Sequence, residues 1–376
     1  MQTTQPTPLL GGLSPAQFMR RHWQKKPLLI RQALAPATPL IDRAGLFELA
    51  AREDVESRLV VRNGARWALR PGPLPRRALP ALKRAGWTLL VQGVDLHLDA
   101  AHELLSRFRF VPDARLDDVM VSYASDGGGV GPHLDSYDVF LLQIHGRRRW
   151  RVARPGDAAL DPGAPLKILA HFEPDEEWLL EPGDMLYLPP GWGHDGVAVG
   201  ECMTCSIGFQ APRRGDIAQQ VLQRLVDAAE PDEDDPLYRD ARLVATAAPG
   251  LVPEDLQAFA FDAVRRALEQ PHALACALGE VLSEPKPRVA FEPAEQAALT
   301  SGVRLDRRTK MMYDKRFVFI NGESFRAGGR DATLMRRLAD ERRLPSRELA
   351  TLSGDAHELL GQWVAAGWLH TETNKL

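Results

Sequence analysis

Residues 127–150 read GGGVGPHLDSYDVFLLQIHGRRRW, and the fold turns on how this stretch is extended. His133 and Asp135 are separated by one residue, so on an extended segment both side chains project to the same face and can share one ion. A lone pair of this kind has little specificity, because a solvated surface turn reads the same way. A third ligand is offered by EPGDMLYLPPGWGHDG at 181–196, where His194 follows a Pro/Gly-rich turn after an apolar strand. Two imidazoles and one carboxylate make the facial triad that leaves positions open on non-haem iron(II). A bidentate 2-keto acid would fill two of those positions and leave one for dioxygen. Its far carboxylate then needs a cation. If HGRRRWRVA is a strand, Arg148 shares its face with Trp150 and Val152, while Arg147, Arg149 and Arg151 share the polar face. The inward Arg148 can grip a carboxylate through two parallel hydrogen bonds. The outward arginines read as a charged strand edge that discourages aggregation.

Around this stretch, residues 117–211 break into short runs rich in β-branched and aromatic residues: DDVMVSYAS, YDVFLLQIHG, RRRWRVARP, EEWLLEPGD, DMLYLPPGW and ECMTCSIGFQA. Gly, Pro and Asp separate them, with a hairpin turn expected at His145-Gly146. The spacing predicts an antiparallel sandwich or barrel. Upstream, a helix starting at Ser14-Pro15 feeds the extended PLLIRQ, and residues 40–115 mix helices such as DRAGLFELAAR with strands such as SRLVVRNG, RWALR and GWTLLVQGV. Downstream of Pro212 the pattern turns helical, interrupted by the acidic EPDEDDP at 230–236. Beyond the Pro-rich EPKPRVAFEP, KRFVFINGESFRA reads as a hairpin turning at Asn321-Gly322, and helices follow between Ala332 and Trp368. The expected division is a catalytic domain at 1–212, a helical domain at 213–288 and a winged-helix-like domain at 289–376.

The 376 residues carry 47 basic and 50 acidic side chains, a formal net charge of -3. That balance offers no general attraction to nucleic acid or anionic lipid, and any nucleic-acid contact would need a local patch. No direct nucleic-acid binding is expected. Three cysteines, Cys202, Cys205 and Cys276, are too few for a disulfide framework and suit a reducing, cytoplasmic compartment. Cys202 and Cys205 form a CxxC inside a strand-like run and read as buried, inert thiols. No leader and no apolar stretch of membrane-spanning length stands out, so neither export nor membrane insertion is expected. His145 and His171 read as surface residues rather than ligands.

The combination of GGGVGPHLDSYDVFLLQ, GRRRW, EPGDMLYLPPGWGHDG and SIGFQAP resembles the Jumonji-type (JmjC/cupin) 2-oxoglutarate oxygenases, and within them the bacterial ribosomal oxygenases that hydroxylate arginine. The opening FMRRHWQKKPLLIRQ is similar to that family's first segment. The resemblance implies an α+β chain with a double-stranded β-helix core, a helical dimerisation domain and a winged-helix-like module. It implies His133, Asp135 and His194 as iron(II) ligands, with 2-oxoglutarate and dioxygen as co-substrates. Arg148 would clamp the far carboxylate of 2-oxoglutarate, and Ser122 stands where a serine helps to bind it. Thr204 and Ser206 share a strand face near that pocket but read as locally satisfied core hydroxyls. Asp126 and Tyr137 flank the triad and would meet a cationic substrate side chain by charge pairing and stacking. The implied substrate is an arginine of the sixteenth large-subunit ribosomal protein, hydroxylated at C3 by a homodimer. The alternatives are a Jumonji oxygenase acting as a histidyl hydroxylase or N-methyl demethylase, and a non-catalytic cupin-like binding module.

Overall fold

The computed structural model describes residues 2–35, 40–64, 66–156, 158–228, 236–294, 299 and 301–372; the acidic run at 230–235 lies outside them. The chain divides into two compact units, Met1–Ala211 and Pro212–Leu376.

The first unit begins with helix α1 (Pro15–Arg21), which starts where the sequence places it. Ser14 caps the Gln17 N–H, and the Gln17 side chain returns to the Ser14 N–H. Then come β1 (Leu28–Ile30), α2 (Arg43–Ala50), β2 (Ser57–Asn63), β3 (Arg66–Pro71), β4 (Trp87–Val91) and α3 (Asp99–Ser106). The remaining strands are β5 (Leu116–Ala124), β6 (His133–Leu134), β7 (Val139–Ala153), β8 (Glu176–Leu180), β9 (Met185–Leu188) and β10 (Gly193–Phe209). Among the described residues these ten strands form one antiparallel network in the order β1-β9-β7-β10-β5-β4-β2-β3, with β6 on β10 and β8 on β7.

His145-Gly146 is not a hairpin turn. β7 runs unbroken for 15 residues beside the 17 residues of β10, and the register between them slips where Val199 and Met203 face this point. Gly146 takes φ +61, and a Cβ there would lie 2.1 Å from the Glu201 carbonyl oxygen, so only glycine allows the bulge. On one side of the bulge β7 pairs with β9 through residues 139–142; on the other it pairs with β8 through 148–152. A strand that changes partner at a bulge closes two layers around a core. Strand alternation fills both faces. Phe140, Leu142, Met185 and Tyr187 join the larger cluster under the N-terminal helices, where Phe18 meets the Phe140 and Tyr187 rings at 5.4 and 4.9 Å. Val139, Leu141, Leu186 and Leu188 face the opposite way, with Trp150 and Val152. Cys202 and Cys205 are fully buried here, and burial pushes the Cys205 thiol up.

The second unit contains α4 (Arg214–Asp227), α5 (Glu254–Glu269) and α6 (Ala273–Ser283), then β11 (Val303–Leu305), β12 (Met311–Tyr313), β13 (Phe317–Ile320) and β14 (Glu323–Arg326). It ends with α7 (Gly329–Glu341), β15 (Arg343–Leu344), α8 (Ser346–Leu349), α9 (Gly354–Ala365) and β16 (Leu369–Thr371). The β13–β14 hairpin turns at Asn321-Gly322 with both residues at positive φ, as a two-residue primed turn requires. α6 presses against β13 so closely that a Cβ on Gly279 would lie 2.3 Å from the Phe319 ring. No helix among the described residues is long and apolar enough to cross a membrane.

Candidate metal centre and co-substrate pocket

β6 pairs with the start of β10 so that His133 stands opposite His194. Asp135 follows one residue beyond the strand. The Asp135 carboxylate lies 3.5 Å from His194 Nε2 and 4.0 Å from His133 Nε2, and the two imidazole centroids are 4.2 Å apart. One ligand atom from each residue fits within 4.8 Å of the others. His133 Nδ1 lies 2.9 Å from the Gly131 carbonyl and His194 Nδ1 lies 3.0 Å from that of Trp192. A carbonyl can only accept, so each Nδ1 carries the proton and each Nε2 offers its lone pair to the shared space. His194 is buried, and loss of hydration, with His133 beside it, pushes its pKa down to about 4. It is therefore neutral at physiological pH, the form a metal requires. This donor set fits an iron(II) site with open positions.

The triad lines a cavity of about 380 Å³ that also reaches Arg148, Ser122, Ser206, Trp150 and Tyr137. Arg148 is 5% exposed, inward as its strand phase predicts. Its NH1 donates to Ser122 Oγ at 3.3 Å and to Thr204 Oγ1 at 3.2 Å. Thr204 Oγ1 in turn donates to Gln143 Oε1 at 2.9 Å, and Gln143 Nε2 donates to the His145 carbonyl at 2.8 Å. Every fixed partner is neutral, and among the described residues Arg148 Nε has no hydrogen-bond partner. A buried guanidinium without an anion is costly. The pocket is thus built to receive a carboxylate. Thr204 reads from the sequence as a locally satisfied core hydroxyl and Gln143 carries no sequence signal, yet together they hold the guanidinium in place.

Trp150 lies over His194 with ring centroids 5.9 Å apart. It can do so because its cross-strand partner is Gly196, where a Cβ would sit 2.6 Å from the indole. Tyr137 lines the cavity while remaining 39% exposed, and burial of its hydroxyl with Asp135 nearby pushes its pKa up, so it stays protonated. Asp126, by contrast, is exposed at a turn, is not among the residues that line this cavity, and its carboxylate accepts the Gly200 N–H at 2.8 Å. The acids that line the cavity besides Asp135 are Asp117 and Asp118 on β5. Asp118 accepts the Gly93 N–H at 3.0 Å and Gln92 Nε2 at 3.3 Å. The signal was present: Asp118, Met120 and Ser122 alternate along one strand, so an inward Ser122 carries the other two with it.

The fold and this site are similar to those of the JmjC-domain proteins: residues 103–217 match the JmjC domain model, and residues 266–370 match the ROXA-like winged helix. Within that class the chain is similar to the ribosomal oxygenases. It is 40% identical over 216 residues to the ribosomal protein uL16 3-hydroxylase of Escherichia coli, covering 55% of this chain and 56% of that one. It is 37% identical over 211 residues to a probable ribosomal oxygenase of Haemophilus influenzae, covering 54% and 52%. These sequence matches span about half the length of the curated relatives. The structure of YcfD, a ribosomal oxygenase from Escherichia coli, in complex with cobalt and 2-oxoglutarate superimposes with a TM-score of 0.80 at 29% identity, covering 98% of this chain and 99% of that one.

Proposed function

We propose that this chain is a cytoplasmic iron(II)- and 2-oxoglutarate-dependent oxygenase that hydroxylates an arginine of ribosomal protein uL16 at C3. The observation that carries the reading is the buried Arg148, held by neutral partners in the cavity that His133, Asp135 and His194 line. His133, Asp135 and His194 would hold the iron, and Arg148 with Ser122 would bind the distal carboxylate of 2-oxoglutarate. With dioxygen, that metal and co-substrate supply the oxidising power to turn C–H into C–OH. The chain's own residues position the reactants and exclude water. Asp117 and Asp118 offer negative charge to a guanidinium, while Met120 and Tyr137 offer apolar surface to its stem. The names of the two bacterial relatives point to a ribosomal substrate, and the first to uL16.

Helices α4 and α5 expose Leu222, Val226, Phe259, Phe261 and Val264. Such an apolar surface supports their use in a homodimer. Anaerobic titration with iron(II) and 2-oxoglutarate, followed by the visible absorption of the chelated keto acid, tests the centre. Intact mass of uL16 from cells with and without the protein tests the target. A uL16 one oxygen atom heavier only when the protein is present is the expected result, whereas loss of a methyl group from another protein would favour demethylation.

A further inference from the structure

The near-neutral charge of the whole chain conceals a segregated segment. Between Ser57 and Val94 lie seven arginines and one lysine, with no aspartate or glutamate. This segment contains β2, β3 and β4, with β3 at the open edge of the network. Seven of the eight cations are exposed; Arg58 is half-buried. Among the described residues, none of the eight lies within ion-pair distance of a carboxylate, although Arg31, Arg43, Arg52, Arg109 and Arg151 in the same unit all do. Their hydrogen bonds go to neutral oxygens. Arg62 Nε donates to the Gly64 carbonyl and Arg84 NH2 to Asn63 Oδ1.

Charged residues on an edge strand discourage strand addition, but one or two suffice for that. The remainder, and the aromatic set among them, need another reason. Trp67 stands opposite Arg62 in the β2–β3 register, and the Arg62 guanidinium lies 5.3 Å over its ring. Leu69, next along the same face, is 37% exposed. A Cβ on Gly131 would lie 3.1 Å from Trp67 Cζ2, so the indole adjoins the segment that leads into His133. Arg58, on the same face as Arg62, lines the cavity itself. Arg66 and Arg70 alternate with Trp67 along β3 and project to its other face, so cations without counter-ions flank a half-buried tryptophan from both sides of the edge strand. These are the parts of a single-strand nucleic-acid platform, in which phosphates meet the charges and a base stacks on the ring. An acidic peptide would use the charges but not the indole.

We propose that the β2–β3 edge binds single-stranded RNA. Single-strand binding stands on this geometry alone; the choice of RNA over DNA rests on the proposed ribosomal substrate. The test uses the full chain without iron or 2-oxoglutarate, so failure of the oxygenase reading leaves its result intact. Fluorescence anisotropy with a labelled oligouridylate of about 20 nucleotides, at salt from ~50 to ~200 mM, should give a log–log salt slope of roughly -3, as four or five phosphate contacts require. The Arg62→Glu/Arg66→Glu/Arg70→Glu variant should lose about 100-fold in affinity and flatten the slope by about 2. Trp67→Ala should lose roughly tenfold with the slope unchanged, the mark of lost stacking rather than lost charge. An equal change of charge elsewhere, Arg214→Glu/Arg330→Glu/Arg347→Glu, should leave binding intact. Absence of binding, equal loss in both triple variants, or displacement by polyglutamate as readily as by unlabelled RNA would overturn the proposal. Tighter binding of the matching DNA oligonucleotide would overturn the choice of RNA.

Discussion

Ser122, which holds Arg148, and Asp118 stand four residues apart on one face of β5, roughly 13 Å, so the cavity they line has two ends of opposite charge, and they are built differently. At one end Arg148 is a buried cation held by hydroxyl and amide groups alone. At the other, Asp117 and Asp118 bring carboxylates to the same cavity, and Asp118 is secured by a backbone N–H and an amide. The basic end lacks an anion of its own, so its missing partner is small and negative. The acidic end would suit a positive group arriving from outside. The His133, Asp135 and His194 cluster lines the cavity with both, as a reaction joining an anionic co-substrate to a cationic side chain needs.

The largest expected effect removes what the two ends share. His133→Ala or Asp135→Ala should abolish 2-oxoglutarate turnover, measured as succinate release, because two remaining ligands cannot hold the metal open and in place. Full turnover by Asp135→Ala would end the metal assignment. Next, Arg148→Ala should raise the KM for 2-oxoglutarate by about 100-fold, the value of a charge-assisted pair in a dry site, with a much smaller effect on the KM for peptide. Asp118→Asn should do the reverse: a rise of about tenfold in peptide KM with 2-oxoglutarate binding unchanged. Asparagine retains an acceptor for the Gly93 N–H, so the fold survives. If both variants move both constants alike, the two ends are not separate sites.

Much of this was legible because strands alternate. The phase of GRRRWRV put Arg148, Trp150 and Val152 on one face, and the structure buries all three. The same rule could have assigned Asp118 and Met120 from Ser122, but a DD pair reads more readily as a turn. Two features were hidden for other reasons. Glycine after histidine signals a turn, whereas here it marks a bulge at which one long strand changes partner, something only the second strand's position reveals. The basic edge vanished in a sum over the chain, where acids elsewhere offset it. Asp126 is near His133 in sequence, but across the glycine-rich loop between them it pairs with the Gly200 N–H and is not among the residues that line the cavity.

The metal-free protein should also report on the cluster through pH. Burial, with His133 beside it, depresses the His194 pKa from 6.5 to about 4. The unfolded chain therefore binds a proton at higher pH than the folded one. Stability is full above about pH 6.5 and falls as pH drops toward 4, by an amount on the order of a few kcal/mol for this group. Urea unfolding of the metal-free protein at pH 7 and pH 5 measures it. His194→Gln, which cannot titrate, should lose part of that dependence, and an unchanged pH profile would place the sensitivity elsewhere.

The smallest effect tests whether the basic end is positioned or merely basic. Thr204 accepts from Arg148 and donates to Gln143, so it passes the fixed orientation of the amide on to the guanidinium. Thr204→Val keeps the shape of the side chain but removes both bonds, leaving Gln143 Oε1 without this donor and NH1 with Ser122 alone. The charge at position 148 is untouched. If only charge mattered, 2-oxoglutarate affinity would not move. If orientation matters, the KM should rise about threefold to tenfold, well below the Arg148→Ala effect. In the double variant Thr204→Val/Arg148→Ala the Thr204 contribution should vanish, because a positioning residue has nothing left to position. Persistence of the full Thr204 effect in that background would show that the threonine acts on the co-substrate directly.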